Sequence, residues 1–122
     1  MNADLKARWV AALRSGEYKR GSSTLKRALM AGDTFTGLYE HCCLGVLCEV
    51  AGVSLVLAPY DGKDLRATHL VKGTNQHGYI DGEARALVDG LSTEHQLKLA
   101  SINDKCIEDD YEKVIKYIEK EL

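Results

Sequence analysis

The stretch His41-Cys42-Cys43-Leu44-Gly45-Val46-Leu47-Cys48-Glu49-Val50-Ala51-Gly52 does most to limit what this chain can become. Leu44, Leu47, Cys48 and Ala51 recur at i, i+3, i+4 and i+7, so the spacing predicts a core-facing helix over Cys42–Ala51. Gly52 then serves as its stop, because glycine tolerates the left-handed conformation that ends helices. Gly45 inside this helix costs about 1 kcal/mol relative to Ala, which implies that another element packs closely there. A chain built around such a helix has one real core and 122 residues with which to cover it.

The cysteines of this segment admit three readings. A disulfide framework needs a secretory context, and the N-terminus MNADLKARW has no uninterrupted apolar stretch of the signal-peptide kind. Zinc is a second reading, with Cys42, Cys43 and Cys48 as ligands alongside His41 or the distant Cys106. Structural zinc sites instead pair Cys across short turns, and on a helix Cys43 and Cys48 point roughly 140° apart. A catalytic thiol needs a facing base, and His41 is a sequence neighbour that a helix does not turn toward Cys42. Reduced thiols packed in a core are the favoured reading, with no cofactor implied.

The flanks fill in an α+β fold, mostly helical, in a single domain over residues 1–122 with a small antiparallel hairpin or sheet in the middle. Leu5, Trp9, Ala12 and Leu13 predict a first helix over about Asp4–Ser15, stopped by Gly16. A short helix over residues 23–30 follows. Ser54–Ala58 and Leu65–Val71 read as strands around the turn residues Pro59–Lys63, and Tyr79–Ile80 as a third strand. Glu83–Val88 reads as a short helix, and Thr93 with Gln96 has capping-box spacing for a helix ending near Ile102. Asn103-Asp104 breaks that helix, with Asn103 left-handed. Asp109 and Asp110 open a last helix whose face is Tyr111, Val114, Ile115, Ile118 and Leu122. That helix can pack internally or across a homodimer.

Charge narrows the partners. Residues 1–30 hold seven Lys or Arg against Asp4 and Glu17, whereas the whole chain has net charge −2. This basic third suits an anionic partner or the acidic C-terminal part of its own chain. Arg14, Tyr18, Lys19 and Arg20 are its candidate binding residues, for a partner protein or for phosphate contacts. Nucleic acid is not favoured, since the chain as a whole carries no basic signature. The loop Lys72–Gly82 groups Asn75, His77 and Asp81 near His69, a candidate polar pocket or, less favoured, a metal-assisted hydrolytic site. No phosphate-binding glycine loop, dinucleotide fingerprint, nucleophile elbow or H-E-x-x-H signature occurs, so a non-enzymatic role is favoured. No apolar run is long enough for a membrane span, and the expected location is the cytosol.

Two motifs carry a resemblance. Trp9-Val10-Ala11-Ala12-Leu13-Arg14-Ser15-Gly16-Glu17-Tyr18 and Cys42-Cys43-Leu44-Gly45-Val46-Leu47-Cys48 resemble the W-x-x-A-L-R-S-G-x-Y and C-C-L-G-V-L-C patterns of small, uncharacterised tailed-phage and prophage proteins. The similarity extends to Leu99–Asp104, with Lys105-Cys106 departing from the family pattern. It implies a phage or prophage origin and a place in the host cytosol, with no catalytic residues to carry over. The expected function is a host-protein-binding accessory protein of the takeover or anti-defence type. A protein that sequesters a small ligand or nucleotide is the alternative.

Overall fold

The computed structural model describes residues 1–60, 64–70, 79–106 and 110–122, with 58–60 and 64–70 as backbone only. Helix α1 (Ala3–Arg14) starts where Asn2 Oδ1 accepts from the backbone N–H groups of Asp4 and Leu5. It buries Leu5, Trp9 and Leu13 on one face, and Gly16 at φ +78° turns the chain away. Strand β1 (Lys19–Arg20) follows, then β2 (Lys26–Ala31), β3 (Thr34–His41) and helix α2 (Cys43–Ala51). Gly52 ends α2 at φ +77°, its N–H donating to the carbonyls of Cys48 and Glu49. Strands β4 (Leu55–Tyr60) and β5 (Asp64–Leu70) form an antiparallel pair. Helices α3 (Ala84–Leu87), α4 (Thr93–Lys105) and α5 (Glu112–Glu121) complete the chain.

The architecture is α+β. Its sheet is five-stranded and mixed, in the order β1-β3-β2-β5-β4. β1 runs parallel to β3, and the other pairings are antiparallel. The sheet is therefore larger than a mid-chain hairpin, because residues 19–41 contribute three of its strands. The helix expected over residues 23–30 is a correction. Lys26-Arg27-Ala28-Leu29-Met30-Ala31 has good helix formers, but the turn at Gly32-Asp33 brings it against Thr34–His41, and cross-strand pairing overrides local propensity. Tyr79–Ile80 is not a strand either. Ile80 is held instead by Gln96, whose amide accepts from Ile80 N–H at 2.7 Å and donates to the carbonyls of Ile80 and Leu91.

Gln96 is thus a buried bridging residue rather than part of a capping box; the N-cap of α4 is Ser92, whose Oγ accepts from His95 N–H. Asn103 does not break the helix. It lies inside α4, fully buried, with Oδ1 accepting from Cys43 N–H at 3.1 Å and Nδ2 donating to Gly21 O at 2.8 Å. One polar side chain so ties α4 to the first turn of α2 and to the end of β1.

The core cluster draws on all five helices, with Trp9, Leu44, Leu47, Leu99, Ile115 and Ile118 fully buried. Trp9 Nε1 donates to Cys43 O at 3.0 Å, fixing α1 on α2. Tyr111, Val114, Ile115 and Ile118 supply the face of α5, and Tyr111 Oη donates to His41 O at 2.8 Å. A Cβ on Gly45 would stand 1.7 Å from the Leu25 carbonyl oxygen, so the close approach this glycine permits is by the backbone before β2. None of the described helices is long and apolar enough to cross a membrane.

Candidate functional site

Strands β2 and β3 form a hairpin closed by Gly32, at φ +63°, and Asp33. Its ladder shifts register between Ala28 and Met30, where β3 accommodates two extra residues around Gly37 at φ +84°. Thr36 stitches this bulge, its Oγ1 donating to Leu29 O at 2.7 Å and accepting from Leu38 N–H at 3.3 Å. Phe35 and Tyr39, four residues apart, share a face, and the bulge between them draws their ring centroids to 5.2 Å. Lys26 Nζ stands 4.3 Å from the Tyr39 ring centroid, a cation–π contact. Leu38 is 64% exposed, Phe35 40% and Tyr39 39%. The described residues include only two other exposed large hydrophobics, Leu87 and Leu97, so the apolar surface concentrates on this hairpin.

The root of the hairpin is chemically dense. Lys26 is the register partner of His41 and forms an ion pair with Glu49 at 3.7 Å. Arg27 pairs with the buried carboxylate of Glu40, which packs against Gly21 so closely that a Cβ there would meet Glu40 Cγ at 2.8 Å. Tyr18 meets the His41 ring edge-on at 5.1 Å. His41 itself is buried, and neither ring nitrogen has a hydrogen-bond partner among the described residues.

Burial, reinforced by the Lys26 charge, lowers the His41 pKa to about 4. The unfolded chain takes up this proton first, near pH 6.5, so acidification below that pH favours the unfolded chain. The loss of stability accumulates as pH falls from 6.5 toward 4, and is on the order of 3 kcal/mol. Urea titrations are expected to show the midpoint falling steeply between pH 6.5 and about 4, with His41→Phe flattening that stretch of the profile. An equally steep fall in the variant would assign it to other groups.

The residues expected from sequence separate into several places. Arg14 forms ion pairs with Glu112 at 3.6 Å and Glu119 at 3.4 Å, spanning α1 to α5. Arg20 donates to Asn103 O at 2.8 Å and to Cys106 O at 2.9 Å, closing the C-terminal end of α4 where the helix dipole favours a cation. Tyr18 is half-buried at the hairpin root, with its pKa raised by burial and by the nearby Glu49 and Glu17 charges. Lys19 is exposed on β1, paired through its backbone with Glu40. Asp81 sits elsewhere, exposed, with Oδ1 accepting from Gly82 N–H, beside a depression lined by Tyr79, Arg85, Thr93 and Leu97. The backbone of His69 pairs with Val56, and Asn75 and His77 lie outside the described residues.

Cys42, Cys43, Cys48 and Cys106 are free and buried. Burial pushes the Cys42 thiol up to about 11 and raises Cys43 and Cys48 as well, so these sulfurs are held as thiols. Cys43 Sγ donates to Leu99 O at 3.7 Å. Among the described residues no three His, Cys, Asp or Glu side chains group as metal ligands.

The hairpin surface is not among the residues that sequence reasoning singles out. Its signal is nonetheless there: Gly32-Asp33 between KRALMA and TFTGLYEH is a turn dipeptide flanked by two short runs, the second rich in aromatic and β-branched residues.

Residues 1–54, which comprise α1, the three strands β1–β3 and α2, are similar to a family described as a domain of unknown function (DUF8296). The hairpin and its root thus fall inside the matched segment. No match is found to a curated protein or to a solved structure.

Proposed function

We propose that this chain is a phage- or prophage-encoded accessory protein that acts by binding a host protein, without catalysing a reaction, and that the β2–β3 hairpin is its docking face. The observation that carries the proposal is the exposure of Phe35, Leu38 and Tyr39 within one short stretch of β3. Exposed aromatic clusters on a fixed scaffold suit protein interfaces, where a few such side chains supply most of the binding energy. The scaffold condition is met by the hairpin root, clamped by β1, by the Lys26–Glu49 pair and by Tyr111. The two motifs that resemble phage proteins support the origin, and both lie in the matched segment.

The basic residues contribute less to this face. Arg14 and Arg20 contact acceptors of the chain's own C-terminal third, which turns the basic third partly inward. That arrangement weakens the case for a nucleotide or other anion bound through them.

The test is a triple substitution, Phe35→Ser, Leu38→Ser and Tyr39→Ser. Because these side chains are exposed, thermal stability is expected to change little, while the affinity for a captured host protein falls at least about tenfold. Undiminished capture by the folded variant would remove the hairpin as the docking face.

A further inference from the structure

We infer that the hollow between residues 79–81, α3 and the start of α4 binds a free amino acid with an apolar side chain, held as a zwitterion by Arg85 and Asp81. Tyr79, Asp81, Arg85, Thr93 and Leu97 line this hollow, none of them a hairpin residue, and its volume is about 220 Å³. Pockets for drug-sized molecules run to roughly 300–1,000 Å³, so the occupant here is smaller.

The charges on its wall are unmet. Arg85 is half-buried on α3, and among the described residues its guanidinium has the Thr93 hydroxyl as partner and no carboxylate. Its Nε is closed off from solvent without an acceptor among those residues. A guanidinium partly stripped of water is ordinarily matched by an anion. Thr93 engages Nη2, which leaves Nη1 for a ligand. Because the Thr93 oxygen accepts from Arg85, its own hydroxyl proton stays free to donate to that ligand. Thr93 also opens α4, and the positive end of a helix dipole favours an anion beside it. These groups together suit a carboxylate.

Asp81 argues against a simple anion. Its Oδ1 accepts from Gly82 N–H at 2.7 Å, and its carboxylate meets no cation among the described residues, Arg85 included. An unpaired cation and an unpaired carboxylate lining one small hollow match a ligand that carries both charges. The ammonium group of an amino acid answers Asp81, and its carboxylate answers Arg85 and Thr93.

The remaining wall is apolar. Leu97 is 50% exposed and Tyr79 half-buried, so a side chain laid on them takes uncovered apolar surface out of water. Gln96 makes no ligand contact, since both its amide hydrogens go to the carbonyls of Ile80 and Leu91. Its role is to hold Ile80 against α4, which forms the hollow before a ligand arrives. This site and the docking hairpin share no residue, so either idea can fail alone.

The experiment is isothermal titration calorimetry of the full chain with L-leucine. Binding is expected, with a Kd between about 1 µM and 1 mM. Isocaproate lacks the ammonium group of leucine and isoamylamine lacks its carboxylate, and each is expected to bind at least about tenfold more weakly. Arg85→Gln and Asp81→Asn are each expected to lower leucine affinity at least about tenfold, with the fold of both checked by circular dichroism. Asp81 is exposed, so its variant tests the site even where the loss of Arg85 disturbs α3. Failure of L-leucine to bind at up to about 10 mM would overturn the proposal. So would isocaproate binding as tightly as leucine, or a folded Asp81→Asn protein with undiminished affinity.

Discussion

Gly45→Ala is expected to destabilise the protein by about 3 kcal/mol or more, enough to remove much of the stability of a domain this size. The added methyl would stand 1.7 Å from the Leu25 carbonyl oxygen and 2.7 Å from its carbonyl carbon. Backbone, not a flexible side-chain end, is what must move. Leu25 is itself buried and leads directly into β2, so a displacement there pulls on the hairpin pairing as well as on the core. Alanine gains roughly 1 kcal/mol of helix propensity over glycine, which does not offset a clash of this depth. The measurement is urea unfolding followed by circular dichroism. A variant as stable as the parent would mean that α2 and the Leu25 backbone separate at little cost.

Asn103→Ala has the second large effect, a loss of about 2–4 kcal/mol. The substitution strands two buried groups, the N–H of Cys43 at the start of α2 and the carbonyl of Gly21 beyond β1. Each has exchanged water for the Asn103 amide, and neither regains water inside the core. Asn103→Asp distinguishes lost packing from lost hydrogen bonding. The carboxylate still accepts from Cys43 N–H but faces the Gly21 carbonyl with no donor, so it is expected to give no rescue. Full stability in Asn103→Asp would show that the Gly21 bond contributes little.

These two residues also show how far local chemistry reaches. A glycine inside an apolar helix implies close packing, and that is the role of Gly45, although the neighbour is the Leu25 backbone. An asparagine near a helix end implies a left-handed turn, and Asn103 is not one. Its amide instead satisfies groups 60 and 82 positions away, at Cys43 and Gly21, and no local pattern announces such partners. Gln96 is a parallel case: its spacing from Thr93 suggests a cap, and Ile80 and Leu91 give it another use.

The helices α1, α2 and α5 and the β4–β5 pair are legible because their information is local. Apolar residues at helical spacing, stop glycines and β-favouring runs act over a few residues, where chain entropy and side-chain periodicity decide, although Pro59 and Tyr60, expected in the turn, belong to β4. The hairpin is not, because KRALMA is locally a better helix than strand. Only pairing with Thr34–His41 on one side and with β5 on the other makes the extended form the more stable one. The same holds for the face proposed to dock a partner. That Phe35, Leu38 and Tyr39 are apolar is a property of the chain; that they stand outside the core follows from where the other elements pack. Burial is a property of the whole assembly of elements, and a residue's own chemistry does not say which side of the sheet the helices will cover.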